Sequence, residues 1–326
     1  MAARRRAPSR PVHLILDWDG TLTVNDTLSI LSGLPKARDR RLGVAHVPSH
    51  SWNDDFLEPY MDDYAEHKRS LPFYPTATGS GKYSRWLASL HTVEYASAKR
   101  VSDSGFFCGV NTADVATVAQ EAFDAGAMQL RHGWLDLFSM FLPAATPPAG
   151  SRLSIVSVNW SATFIRSSLR YAAGRSLQSD DARRQQLIEY VDGMEIKANE
   201  IDGLDDAEGG SSGRLVGYIR TAADKLQQRP LARRPGQVSE RPFEVYVGDS
   251  ATDYECLRAA DIGIWLCDCA PTEYEQKFKE NFKPLQLEIQ PIEGFCSHPD
   301  SELYWSSELE DVAKLLGELP ALGVQR

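Results

Sequence analysis

The chain has 326 residues, 42% hydrophobic and 25% charged, an ordinary folded composition with room for one large or two modest cores. A formal net charge of -10 argues against wholesale nucleic-acid binding, which needs a basic footprint. No apolar run approaches the ~20 residues of a spanning helix, so no membrane partner is expected.

The opening residues carry Arg4, Arg5, Arg6 and Arg10 without an apolar core, and read as too short for a signal or transit peptide. The five cysteines (Cys108, Cys256, Cys267, Cys269 and Cys296) form no disulfide framework and suit a reducing compartment, the cytoplasm or the nucleus. Cys267, Cys269, Cys296 and His298 imitate a soft-metal cluster, but their spacing fits no standard zinc pattern, so they read as ordinary thiols.

His13–Leu16 is short, apolar and ended by turn residues, the pattern of a buried parallel strand. Asp17 and Asp19 follow at once in Asp17-Trp18-Asp19-Gly20-Thr21. In extended backbone their side chains point the same way, so two carboxylates converge beyond a strand's carboxyl end, where open α/β sheets bind ligands. Such a pair is costly unless a cation neutralises it or one member holds a proton. The plain alternative is a turn with two solvated acids.

From about Leu28 to Met128 the patterns are helical, over Asp54 to Arg69, Lys82 to Val101 and Thr112 to Ala125, with no convincing strand. Phe56, Tyr60 and Tyr64 recur every four residues, and Phe73, Tyr74, Tyr83, Trp86 and Tyr95 follow. That stripe reads either as helical core or as an aromatic, acidic lid for a flat or cationic ligand. Thr146–Gly150 is a loop, and further strands are expected at Leu153–Val158, Met194–Ile201, Val245–Val247 and Ile262–Leu266. Gly209–Gly213 and Arg229 to Arg241 read as flexible surface loops of little chemical interest.

Ser157 ends the second strand, and Ser161 looks like the cap of a helix from Ala162, a combination that can cradle phosphate. Trp160, beside that cradle, can stack on a ligand or pack at the helix start. In Gly248-Asp249-Ser250-Ala251-Thr252-Asp253 a strand ends at glycine and two acids follow four apart, one able to reach a cation and the other to brace it. Lys225 upstream can neutralise a carboxylate and phosphoryl charge; alone it is an ordinary helix residue.

Together, Asp17-Trp18-Asp19-Gly20-Thr21, Ser157, Lys225 and Gly248-Asp249-Ser250 with Asp253 resemble, in order, the four motifs of the haloacid dehalogenase superfamily of aspartate-nucleophile phosphohydrolases. Leu130-Arg131-His132-Gly133-Trp134 is similar to the stretch preceding the second motif. Insertion of helices between the first two motifs resembles the phosphoserine-phosphatase-like branch. Ser157–Ser161 and Asp249–Ile264 resemble the phosphatase domain of plant thiamin monophosphate phosphatases and fungal relatives. Trp18 and Asn159-Trp160 depart from the pattern, the latter replacing the glycines of phosphoserine phosphatases.

The resemblance implies an α/β fold: a three-layer Rossmann-like parallel-sheet core over residues 1–27 and 129–326, with a helical cap over 28–128. It implies a phosphomonoesterase in which Asp17 attacks phosphorus and Asp19 is acid, then base. Mg2+ would be held by Asp17, the Asp19 main-chain carbonyl and Asp249, with Asp253 bracing. Ser157, the Asn159 backbone and Lys225 would bind the transferring oxygens, with Gly20 and Thr21 shaping the loop. Thiamin monophosphate or a similar aromatic monophosphate is the expected substrate, with contacts from Trp160, Phe56, Tyr60 and Tyr64. A broad-range sugar or nucleotide phosphatase, a phosphomutase and a catalytically silent regulatory protein are the alternatives. A dehalogenase would leave Asp19 and the Asp249/Asp253 pair without purpose.

Overall fold

The computed structural model describes residues 10–71, 80–143, 145, 148, 150–206, 209–229, 241–268, 273, 276–277, 289–295, 297–298 and 301–322. Its strands are β1 (Val12–Leu16), β2 (Phe107–Cys108), β3 (Arg152–Val156), β4 (Glu195–Lys197), β5 (Glu200–Ile201), β6 (Ser212–Gly213), β7 (Leu215–Val216), β8 (Phe243–Gly248), β9 (Ile262–Leu266), β10 (Ile289–Pro291) and β11 (Leu303–Ser306). Its α-helices are α1 (Leu34–Arg41), α2 (Glu58–Ser70), α3 (Ser80–Ser89), α4 (His91–Ser104), α5 (Thr112–Asp124), α6 (Trp134–Ser139), α7 (Ala162–Ser176), α8 (Asp181–Gly193), α9 (Ala222–Gln227), α10 (Tyr254–Ala259) and α11 (Leu309–Leu322).

Seven strands form one parallel sheet in the order β10-β11-β9-β8-β1-β3-β4. β1 lies inside the sheet between β8 and β3, with all five residues buried, and Leu14 pairs with Leu153 on one side and Val245 on the other. Both faces are apolar, as a parallel sheet covered by helices requires. Leu14, Leu16, Ile155, Val245 and Val247 face the larger core with α5, α6, α7 and α11. Ile15, Tyr246 and Trp265 face a smaller core that includes Tyr83 of α3 and Tyr254 of α10. Because the strands are parallel, the turns after β1, β3 and β8 leave one edge of the sheet. This is the α/β class expected from the sequence.

The segment between β1 and β3 leaves and returns through a short neck. Thr23 bridges Leu130, and Val24 N donates to Gln129 O at 3.0 Å. The three expected helices there are present, the first two with altered bounds and the third, α5, within a residue of the expected range. A π-helical turn, Trp52–Leu57, precedes α2, and a break at Leu90 divides the expected Lys82–Val101 helix into α3 and α4. α5 is capped by Asn111, whose side chain and that of Asp114 accept from each other's backbone N–H groups. The segment also holds β2, which pairs antiparallel with β6, so Gly209–Gly213 is not merely a surface loop. Ser211 is buried there, and Gly210 takes a positive φ against Gly109 and Val110.

The expected Met194–Ile201 strand divides into β4, which pairs parallel with β3, and β5, which pairs antiparallel with β7. β10 and β11, which the sequence reading missed, extend the sheet at its far edge. Phe73, Tyr74, Cys269, Cys296 and most of the Arg229–Arg241 loop lie outside the described residues.

Candidate active site

Asp17 follows β1, and its N–H donates to Val247 O of β8 at 2.9 Å, so the first carboxylate is fixed by the sheet itself. Asp249 leaves β8 beside it, and Asp253 comes from the 3-10 turn Ala251–Asp253 that leads into α10. One carboxylate oxygen from each of Asp17, Asp249 and Asp253 lies within 4.8 Å of the others. Lys225, on the second turn of α9, places Nζ 2.8 Å from Asp17 Oδ1 and 2.8 Å from Asp253 Oδ1. The contact with Asp17 is an ion pair without hydrogen-bond alignment, and Asp17 Oδ1 has no aligned donor among the described residues.

Both carboxylate oxygens of Asp253 accept hydrogen bonds. Tyr246 Oη donates to its Oδ1 at 2.7 Å, while Ser250 N and Ser250 Oγ donate to Oδ2 at 3.1 and 3.0 Å. Thr21 Oγ1 donates to Asp249 Oδ1 at 2.9 Å. Gly20 has φ of 70°, and a Cβ there would lie 2.3 Å from Asp249 Oδ2. Only glycine lets the first loop pass this close to the third acid.

Burial first, and then the charge of Asp253, push the Asp17 carboxyl well above the usual carboxylate range, with Lys225 opposing. The same two causes push Asp249 up to about 7, against donors and charges from Thr21, Lys225 and Arg131. Burial alone would lower the Lys225 ammonium, but Asp17 and Asp253 outweigh it and hold Lys225 firmly protonated. One cation among three acids leaves a deficit of positive charge. Three converging carboxylates with a single lysine among them form an all-oxygen donor set that fits a hard divalent ion, and Mg2+ prefers such ligands.

Asp19 stands apart from this cluster. Its Oδ1 accepts from Thr27 N at 2.7 Å and Thr27 Oγ1 at 2.6 Å, and its Oδ2 accepts from Asn159 Nδ2 at 2.9 Å. Burial, then Asp26, push its carboxyl up to about 6, against these donors. A carboxyl so poised can give and take a proton near neutral pH.

Ser157 is fully buried at the end of β3, and its Oγ accepts from Asn159 N at 3.1 Å. The Asn159 backbone N–H, assigned from sequence to a phosphoryl oxygen, is thus engaged with Ser157, and the Asn159 side chain is turned toward Asp19. Ser161 caps α7 as expected, its Oγ accepting from Phe164 N at 3.0 Å.

Three further residues hold the loops together. Asn199, fully buried, donates to Val158 O and Asn159 O and links them to Ile219, which precedes α9. Arg131 donates to Gly20 O at 2.6 Å and Thr21 O at 2.9 Å, and pairs with Asp268. Tyr246 is the third, through Asp253. Arg131 and Tyr246 look from sequence like a loop residue and a strand filler. The one available signal is that an Arg inside Leu130–Trp134 needs buried partners.

The aromatic residues separate into two groups. Phe56 is buried against Phe106, with centroids 5.1 Å apart, and Trp52 joins Phe56 to Trp160 at 6.0 and 5.9 Å. Tyr60 and Tyr64 are half-buried and stacked at 6.2 Å, and Tyr60 Oη donates to Glu94 Oε1 at 2.9 Å.

A parallel sheet bearing Asp17, Ser157 and Asp249 at one edge, with Lys225 reaching in from α9, has the order of motifs that led to the haloacid dehalogenase resemblance. No family model matches the chain. Among curated proteins it is similar to a CTO1 family protein of Schizosaccharomyces pombe, 24% identical over 257 residues, covering 77% of this chain and 80% of that one. It is also similar to the Bifunctional TH2 protein, mitochondrial, of Arabidopsis thaliana, 26% identical over 76% of this chain but only 38% of that protein. Among solved structures, a phosphoserine phosphohydrolase-like protein from Francisella tularensis is 12% identical, covering 93% of this chain and 99% of that one at a TM-score of 0.42. A probable phosphoserine phosphatase from Vibrio cholerae is 15% identical, covering 96% and 66% at 0.42. No described helix is long and apolar enough to cross a membrane.

Proposed function

We propose that this chain is a Mg2+-dependent phosphomonoesterase that works through an aspartyl-phosphate on Asp17. The observation that carries this reading is Asp17 itself: a nucleophile at a central strand tip, with one oxygen lacking an aligned donor, facing two more acids and a buried lysine. Asp17, Asp249 and the Asp19 carbonyl would hold the ion, with Asp253 bracing. When bound, the ion offsets repulsion between carboxylate and phosphate oxygens.

Asp17 attacks phosphorus, and Asp19 gives its proton to the departing oxygen as the P–O bond breaks. Asp19, now a carboxylate, takes a proton from the water that cleaves the acyl-phosphate. Lys225 and Ser157 bind the transferring oxygens. Residues 28–128 are proposed as a cap over a core of 1–27 and 129–326.

For substrate we favour thiamin monophosphate or a related aromatic monophosphate, on the motif resemblance and on the half-buried Tyr60/Tyr64 pair beside Glu94. Phe56 and Trp160 are better placed to stiffen the segment than to meet ligand, since both are buried in one aromatic cluster.

The test is hydrolysis of p-nitrophenyl phosphate and a phosphometabolite panel including thiamin monophosphate, with and without Mg2+, beside Asp17→Asn. Wild-type turnover that requires Mg2+ and vanishes in Asp17→Asn is expected. A wild type no faster than Asp17→Asn on every substrate would overturn the reading. Thiamin monophosphate turned over no better than unrelated esters would overturn only the substrate.

A further inference from the structure

The donors around Asp19 form an ordered chain that runs from Trp18 of the first motif to Thr27 and Asn159, neither of which is one of the four motif residues. Trp18 Nε1, which can only donate, gives its proton to Thr27 Oγ1 at 3.0 Å. The Thr27 hydroxyl therefore accepts from the indole and turns its own proton onto Asp19 Oδ1. Ser161 N donates to Asn159 Oδ1 at 3.1 Å, which sets the amide so that its NH2 group faces Asp19 Oδ2. Ser161 is held in turn, its Oγ donating to Glu200 Oε1 at 2.6 Å. Trp18, Thr27, Asn159 and Ser161 are all buried.

We infer that Thr27 and Asn159, with Trp18 acting through Thr27, are positioning residues that fix the Asp19 carboxyl and leave Oδ2 as the oxygen that carries the transferred proton. The assignment of Oδ2 follows from counting lone pairs. Oδ1 accepts two donors from Thr27 and is saturated, whereas Oδ2 accepts one and keeps a lone pair open. Three elements supply the shell: the loop after β1, the turn that opens the inserted segment at Thr27, and the start of α7. The proton leaves Oδ2 for the ester oxygen as the P–O bond breaks, and the carboxylate that results keeps all three donors. This inference rests on the phosphomonoesterase reading.

Leaving-group dependence separates an acid-positioning role from a structural one. A p-nitrophenolate leaves without much protonation, whereas an alkoxide requires it, so a misplaced acid penalises alkyl esters selectively. The experiment measures kcat/KM for p-nitrophenyl phosphate and β-glycerophosphate in wild type, Thr27→Val, Thr27→Ser, Trp18→Phe and Asp17→Asn, with thermal unfolding to confirm folding. Thr27→Val is expected to lose about tenfold or more in kcat/KM on β-glycerophosphate beyond its loss on p-nitrophenyl phosphate, within the range of acid catalysis. Thr27→Ser should restore most of this ratio, and Trp18→Phe should fall between. Equal losses on both esters, or no rescue by serine, would overturn the inference while leaving the phosphatase intact. A wild type matching Asp17→Asn on both would instead remove the function on which it rests.

Discussion

Lys225 Nζ lies 2.8 Å from Asp253 Oδ1, and neither side chain has any exposed surface. The same ammonium reaches Asp17, so a single lysine offsets the Asp17 and Asp253 carboxylates together. Breaking such a pair leaves uncompensated buried charge, which costs about 3–5 kcal/mol. Lys225→Met should therefore lower unfolding free energy in urea by that order and abolish turnover. Loss of turnover with an unchanged denaturation midpoint would show the ion pair to be structurally neutral.

Burial first, and then the charge of Asp253, raise the Asp249 carboxyl, so a charged Asp249 beside Asp253 costs free energy when no divalent ion is present. Replacing one of them should then stabilise the metal-free protein. Asp249→Asn is expected to melt higher than wild type in EDTA and to lose the rise in Tm that added Mg2+ gives wild type. An Asp249→Asn melting curve that still responds to Mg2+ like wild type would place the ion elsewhere.

Gly20 has no room for a side chain, because a Cβ would meet Asp249 Oδ2 at 2.3 Å and φ is positive. Gly20→Ala must either push Asp249 aside or rotate the loop away from it. Turnover should fall at least tenfold, and stability should fall by about 1 kcal/mol or more from the left-handed backbone alone. Wild-type kcat/KM in Gly20→Ala would contradict the close packing of the first and last motifs.

His13 supplies a pH dependence at the opposite end of β1. Its Nδ1 accepts from Arg152 at 3.4 Å, so Nε2 donates to Ser154 Oγ at 2.7 Å. Burial, then the charges of Arg152, Lys197 and Arg229, pull its pKa down to about 3, below the 6.5 of an unhindered imidazole. Between those values the unfolded chain binds more protons, so this contribution is complete above pH 6.5 and is lost as pH falls toward 3. Urea unfolding should lose up to roughly 2 kcal/mol between pH 6.5 and 5 from this group, and His13→Gln should flatten that slope. Parallel pH profiles for the two proteins would refute the linkage.

The strands and acids were legible because their signals are local. An all-apolar β1 ending in Asp17, and a β8 ending in Gly248-Asp249, announce buried parallel strands and their ligand edge within ten residues each. β10 and β11 were missed because strands of three and four residues carry too little pattern to separate from loop. The break at Leu90 was missed because the apolar spacing continues across it into α4.

Sequence alone brought out the acids of the candidate site, since Asp17 with Asp19 and Asp249 with Asp253 each fall within a few residues of a strand's end. Tertiary structure decided what those residues face: Trp18 and Thr27 on Asp19, Asn159 turned by Ser161, and Arg131 and Asn199 tying loops far apart in the chain. Hydrogen bonds between distant segments leave no periodicity to read, because each depends on a direction in space that only the packed sheet and helices fix.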